Sequence, residues 1–320
     1  MTETDAVHVQ GLAKSYGDVQ AVRGIDFRIA AGEVFALLGP NGAGKTTTVE
    51  ILEGYRRRDA GEVSVLGHDP GKGERELKRR IGIVLQSTGI DPFLTVSETI
   101  AMYSGYYPHP RPVDEVIELV GLSAKRDTRV LKLSGGQQRR LDVAIALAGD
   151  PELLFLDEPT TGFDPAARRE AWEVMKNLAA LGKTVLLTTH YMDEAQYLAD
   201  RAAVIVAGQI VAQGAPGMLA GRDLPKARVR FRLPDGVAPP ADLLGAQATL
   251  SGFTEFVTED PVRVLHELFG WAIDNGVELD GLEVARPSLE EVYLQLTSEA
   301  SGEARAAEPA PVGRLEGRRR

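Results

Sequence analysis

The sequence has no cysteine at all. That excludes disulfide staples, thiolate nucleophiles and cysteine-bound metals. Histidine is sparse, five in 320 residues and without metal-ligand spacing, so no zinc-type site is expected. Long apolar runs are missing: none approaches the roughly 18 to 20 residues of a spanning helix. The opening MTETDAVHVQ also lacks the basic-then-apolar order of a signal peptide. A place in the cytosol is expected, with membrane attachment only through a partner. Positive charge is in deficit, 36 Lys and Arg against 46 Asp and Glu, for a net charge of -10. A phosphodiester backbone is repelled by such a balance unless cations gather in one patch, and the terminal GRRR is short. No nucleic-acid partner is expected.

With 43% hydrophobic and 26% charged residues, the chain has room for two domains and a well-buried core. Apolar runs bounded by Gly and Asp recur: VFALLG at 34 to 39, IGIVLQ at 81 to 86, LLFLDE at 153 to 158, TVLLTTH at 184 to 190 and AAVIVAG at 202 to 208. Continuously apolar strands separated by helical stretches predict an α/β fold around a parallel sheet covered on both faces. The first thirty residues alternate instead, in VHVQGL and IDFRIAAGE, which predicts an antiparallel edge sheet. Between about 90 and 148 no comparable strand occurs. There VDEVIELVGL and QQRRLDVAIALAG carry helical spacing, so a helical insert is expected. A composition shift near GRDLPKARVR sets a boundary near 222. From 223 to 300, RVRFRL, ATLSGFTEFVTE, PVRVLHELFGWAIDNG, VELDGLEVAR and SLEEVYLQLTSEA predict a small α+β accessory domain. The tail 301 to 320, rich in Ala, Pro, Gly and charge, is expected to be disordered.

The strand candidate at 34 to 38 runs into Gly39, Pro40, Asn41, Gly42, Ala43, Gly44, Lys45 and Thr46, then the helical TTVEILEG. This is the strand, loop and helix order of a phosphate-binding loop. Glycines let successive N–H groups turn into one hollow, and the helix N-terminus adds partial positive charge there. Lys45 is placed to bridge the β- and γ-phosphates, Thr46 to ligate Mg²⁺ and Thr47 to reach the α-phosphate. The acids come from LLFLDEP. Asp157 ends a buried strand and would hold Mg²⁺ through water, and Glu158 is the candidate base that polarises the attacking water. A nucleoside triphosphate is expected, but kinases, GTPases and motors share this loop.

With LSGGQ at 133 to 137 upstream of LLFLDEP, then TTGFDP and TTH, residues 6 to 215 resemble the nucleotide-binding subunits of ABC transporters. The resemblance implies a P-loop NTPase core and ATP as the nucleotide. It implies that Tyr16, with Val22 as an apolar neighbour, stacks on adenine, and that Gln86 ligates Mg²⁺ and senses the γ-phosphate. His190 is implied to contact the γ-phosphate and orient hydrolysis, and Asp164 to lie in a loop that crosses a dimer interface. Phe163 stands where the family usually has Leu. Ser134, the N–H groups of Gly135 and Gly136, and Gln137 form a second anion-binding terminus, which in this family serves the phosphate loop of a second copy. A homodimer with ATP between the copies is implied.

The implied partner is a separate multi-span membrane subunit, received on the insert around FLTVSETIAMYSGYY at the cytoplasmic face of the membrane. RVLKLSGGQQRRLDVAIAL, FDPAARREAWEVM and the closing RPSLEEVYLQLT resemble the daunorubicin-resistance branch of bacterial drug-exporter ATPases. That implies export of a drug-like or other hydrophobic compound. A chromosome-maintenance ATPase would need a long coiled coil between Lys45 and Ser134, and a translation factor would need a second nucleotide domain. An importer motor stays open, although the accessory segment lacks the many short strands that importer ATPases often carry there.

Overall fold

In the computed structural model, which describes residues 5–84, 89–219, 227–234, 237, 247–248 and 253–285, the alternating start of the chain forms two long strands. β1 (Asp5–Tyr16) and β2 (Val19–Ala30) pair antiparallel. β4 (Ala60–Val65) adds to the other edge of β1, giving the sheet order β2-β1-β4. The sequence reading passed over β4 because AGEVSV is exposed for its first three residues and buries only Val63 and Val65.

The continuous apolar runs form β3 (Val34–Leu38), β5 (Ile81–Val84), β6 (Leu153–Asp157), β7 (Thr184–Thr189) and β8 (Arg201–Val206). They lie parallel in the order β5-β6-β7-β3-β8, and β9 (Gln209–Gly214) closes the edge antiparallel to β8. The expected parallel sheet is present, with one antiparallel strand added at its edge. Only Ala207 and Gly208 separate β8 from β9, both at positive φ, and a two-residue turn can only reverse the chain. β3 and β7 are buried at every residue, as strands covered on both faces must be. One face of the central sheet shares its core with the antiparallel sheet. There Phe27 of β2 stacks on Phe35 of β3 with ring centroids 5.5 Å apart, and Val49, Ile51 and Leu52 of α1 (Lys45–Leu52) join the same cluster.

α2 (Arg75–Arg80) leads into β5. The insert between β5 and β6 contains α3 (Val96–Ser104), α4 (Val113–Leu119) and α5 (Gly135–Leu147). Thr95 with Glu98 and Ser134 with Gln137 close reciprocal capping boxes at the starts of α3 and α5. α6 (Pro165–Ala180) follows β6, and α7 (Met192–Leu198) follows β7.

Contacts divide the chain into two units, Met1–Pro216 and Gly217–Gln295. In the second, β10 (Ala227–Arg232), β11 (Gln247–Ala248), β12 (Thr254–Thr258) and β13 (Asp280–Ala285) form an antiparallel sheet in the order β11-β12-β10-β13. α8 (Pro261–Asn275) lays Leu268 against Val229, Phe231 and Phe256. The boundary expected at 222, the segment SLEEVYLQLTSEA and the tail 301–320 lie outside the described residues.

Candidate active site

Three parallel strands end level with one another: Leu38 of β3 pairs with Thr189 of β7, and Asp157 of β6 with Thr188. This alignment brings the loops that follow them to one edge of the sheet. The loop after β3 hugs that edge. A Cβ on Gly44, whose φ is 107°, would lie 2.4 Å from the Ala21 carbonyl oxygen, and one on Gly39 would lie 2.4 Å from that of Ile205. Only glycine fits either place. No side chain caps α1, so the N–H groups of its first turn are left for an anion. Pro40 and Asn41 flank the bend, Gly42 takes a φ of 80°, and Ala43 is buried beneath it. Lys45 opens the helix and is 5% exposed. Its Nζ donates to the Gly39 carbonyl at 2.8 Å and the Pro40 carbonyl at 3.2 Å. Thr46 is exposed and Thr47 half-buried beside it.

Glu158 sits at φ 44°, a left-handed conformation that is rare for a residue with a side chain and is found where surroundings over-determine it. Its N–H is shared between the carbonyl and the hydroxyl of Thr188, at 3.2 and 3.0 Å. The same hydroxyl donates to Asp157 Oδ1 at 2.5 Å. One threonine thus orients both acids. Glu158 Oε1 lies 3.5 Å from Lys45 Nζ and 3.6 Å from His190 Nδ1, while Oε2 accepts from the Thr161 hydroxyl at 3.1 Å. Lys45 and His190, from segments far apart in sequence, thus converge on the Glu158 carboxylate. Burial pushes the Asp157 carboxyl above its ordinary value, against the Thr188 hydrogen bond that holds it down. Behind it Glu53, 4% exposed, is pushed up to about 8 by burial, with Asp157 and Glu50 adding to the shift.

Tyr16 ends β1 and is 40% exposed. The Arg56 guanidinium lies 5.2 Å from its ring centroid and is tied to Glu50 at 2.5 Å; Lys14 Nζ lies 5.5 Å from the same ring. Val22 is buried and pairs with Lys14, and a register shift between Lys14 and Ser15 puts Val19 opposite Tyr16. Gln86 lies outside the described residues.

Ser134 is exposed at the head of α5. Its hydroxyl accepts from Gln137 N–H at 3.3 Å, and its own N–H donates to Gln137 Oε1 at 3.1 Å. Gln137 therefore closes the cap, and the exposed Gly135 and half-buried Gly136 form the open first turn. Asp164 caps α6 by accepting from Ala166 and Ala167 N–H at 2.9 Å each. A cavity of about 550 Å³ reaches from Gly135 and Gln138 on α5 to Glu158, Thr161 and Phe163 on the loop after β6. Arg139 bridges the same two segments, donating to the carbonyls of Pro159 at 3.0 Å and Asp157 at 3.2 Å. Sequence reasoning missed Thr188, Arg139 and Glu194, which tie these loops together. Arg139 had a legible signal: helical spacing aligns it with Asp142, Val143 and Ala146, all buried. Thr188 had none, being one of three threonines in an otherwise apolar strand.

A glycine cradle closed to any Cβ, an uncapped helix start and a buried ammonium form a site for a polyphosphate, and the exposed Thr46 hydroxyl with the Asp157 carboxylate supplies the hard oxygen donors that Mg²⁺ prefers. The comparisons agree with this chemistry. The ABC transporter family model matches residues 22–161, and that of the C-terminal domain of ABC transporter domain-containing protein-like chains matches residues 227–288. The Nod factor export ATP-binding protein I of Paraburkholderia xenovorans (strain LB400) is 39% identical over 300 residues, covering 91% of this chain and 97% of its own. The daunorubicin resistance ATP-binding protein DrrA3 of Streptomyces coeruleorubidus is 37% identical over 310 residues, covering 92% and 96%. Among solved structures, cbiO1 from Clostridium perfringens matches with a TM-score of 0.61 and 30% identity, over 67% of this chain and 90% of its own. An ATP-binding cassette in a dimeric post-hydrolysis state with ADP and phosphate matches with a TM-score of 0.58 and 25% identity, over 66% and 98%. The chain belongs to the family of ABC transporter ATP-binding subunits and is an ATPase of that family.

Proposed function

We propose that this ATPase works as a homodimer that drives export of a drug-like or other hydrophobic compound through a separate multi-span membrane subunit, at the cytoplasmic face of the membrane. In this reading residues 1–222 are the ATP-binding domain, with its insert at about 90–148, residues 223–300 an accessory domain and 301–320 a tail. The observation that carries the dimer is α5. Its capped, glycine-paired N-terminus is exposed, and the hydrogen bonds of Ser134 stay within its own turn, so the glycine N–H groups are left for an anion. Placed against the Lys45 loop of a second copy, it would complete that copy's phosphate site, with Asp164 at the seam. ATP then joins the two copies, and its hydrolysis releases them.

Within each site, Lys45 would exchange its two loop carbonyls for phosphate oxygens, and Tyr16 would offer its ring to adenine. Glu158, held by Thr188 and Thr161, would take the proton of the attacking water, with His190 fixing the geometry. Thr46, Asp157 and Gln86 would hold Mg²⁺, which when bound draws charge off the phosphates. Two features support the membrane partner. No helix among the described residues is long and apolar enough to cross a membrane. The insert also leaves Phe93, Met102 and Tyr106 at 69, 46 and 76% exposure, apolar area beyond what α3 needs for its own packing. Export is the role printed for the Paraburkholderia relative and daunorubicin resistance that printed for the Streptomyces one, and both align over nearly the whole chain.

The test is complementation between damaged copies. Ser134→Arg should leave ATP bound at Lys45 yet stop hydrolysis. Mixing it with Lys45→Ala should restore up to one intact site per dimer. Full hydrolysis by Ser134→Arg alone would sink the shared-site reading.

A further inference from the structure

One buried acid has no part in this chemistry. Glu194 lies in the first turn of α7, four residues after His190, and is 0% exposed. Its Oε1 accepts from the Thr160 hydroxyl at 2.8 Å and from Trp172 Nε1 at 3.0 Å. Its Oε2 is buried and accepts no hydrogen bond among the described residues. The Thr189 hydroxyl helps to hold the carboxyl's pKa down and itself accepts from Tyr191 N–H at 2.9 Å. Burial dominates and pushes this carboxyl above its ordinary value. An apolar side chain of similar volume would be the cheaper occupant of such a site. Stability alone therefore does not explain the acid.

Its partners suggest a reason. Thr160 lies two residues beyond Glu158, on the loop after β6, and Trp172 lies on α6, which that loop enters through Asp164. Glu194 itself belongs to the segment that begins with His190. A second link runs parallel to the first: the Arg168 guanidinium of α6 lies 3.9 Å from the Tyr191 ring centroid and 3.7 Å from Asp193. One carboxylate oxygen thus holds together the two segments that present Glu158 and His190 to each other at 3.6 Å. We propose that Glu194 is a positioning residue for ATP hydrolysis, which keeps the Glu158 loop and the His190 segment in register by accepting from Thr160 and Trp172. The inference rests on the roles given above to Glu158 and His190.

Full-length chains carrying Glu194→Leu, Glu194→Gln, Thr160→Val and, as a control, Glu158→Gln would be compared for kcat, KM for ATP, binding of a non-hydrolysable ATP analogue, and melting temperature. Loss of both hydrogen bonds should lower kcat in Glu194→Leu by roughly 10- to 100-fold, with analogue affinity within about threefold of the parent. Glu194→Gln should recover most of kcat, because its amide oxygen accepts from the same two donors. Thr160→Val should lose part of kcat and add little when combined with Glu194→Leu. Unchanged kcat in Glu194→Leu overturns the proposal. So does a parallel fall of kcat, analogue affinity and melting temperature, which marks a structural role only, and so does equal loss in the Gln and Leu variants, which would assign the effect to charge. If Glu158→Gln itself hydrolyses ATP at the parent rate, the underlying site reading has failed instead.

Discussion

At Glu158 the backbone is held in a left-handed turn by Thr188 while the side chain meets Lys45, His190 and Thr161. The residue is oriented before any substrate arrives, as its proposed role of general base requires. Glu158→Gln keeps the shape and removes the basic oxygen, so ATP binding should persist while turnover falls by at least about 100-fold, measured by phosphate release beside nucleotide binding. Lys45→Ala removes the point charge at the cradle and should weaken binding itself. Glu53 gives a prediction in pH. Its carboxyl, pushed up to about 8 from an ordinary 4.5, stays protonated in the fold while the unfolded chain ionises. The unfolded state binds fewer protons across that interval, so this group makes the fold less stable as pH rises from about 4.5 to about 8. Glu53→Gln should remove that slope and raise the nucleotide-free melting temperature by several degrees at pH 7, a gain on the order of 2 kcal/mol. Equal pH slopes in the two proteins would refute it.

At the scale of elements, α5 does two things with one N-terminus. The Ser134 and Gln137 box satisfies donors of the first turn, and Arg139 one turn later grips the carbonyls on both sides of Glu158. Burial lowers the Arg139 pKa, and the Asp142 carboxylate compensates. Ser134→Ala loses the cap and should cost about 1 kcal/mol in denaturant unfolding, whereas Ser134→Arg adds a bulky cation where the proposed γ-phosphate contact lies. The two substitutions therefore separate stability from function. The helix itself was legible in QQRRLDVAIALAG. What its arginine holds was not, because the carbonyls of Asp157 and Pro159 lie about twenty residues further along the chain and meet it only once β6 is in the sheet.

For the whole molecule, the two units differ in what the sequence made plain. In the first, motif order and apolar runs located every parallel strand, and the misses were edge elements: β4, half exposed, and β9, polar and reversed by a two-residue turn. In the second, RVRFRL and PVRVLHELFGWAIDNG were read correctly as strand and helix, and the packing of Leu268 against Val229, Phe231 and Phe256 supplies the core. Removing residues 301–320 should leave ATPase activity and melting temperature at the parent values, since the proposed site draws on residues between 16 and 190. A large loss on truncation would contradict the reading of this stretch as a tail.

The sequence by itself determined the chemistry. Glycines, a lysine, paired acids and a serine–glycine helix start are demanded by phosphate and by water attack, and their types and local spacing are visible in one dimension. Only the tertiary structure decided how the loops are held. Parallel strands align Leu38, Asp157 and Thr189 at one sheet edge, and the side chains that join them, Thr188, Arg139 and Glu194, are ordinary residues until burial strips them of water and gives each a partner from a distant segment.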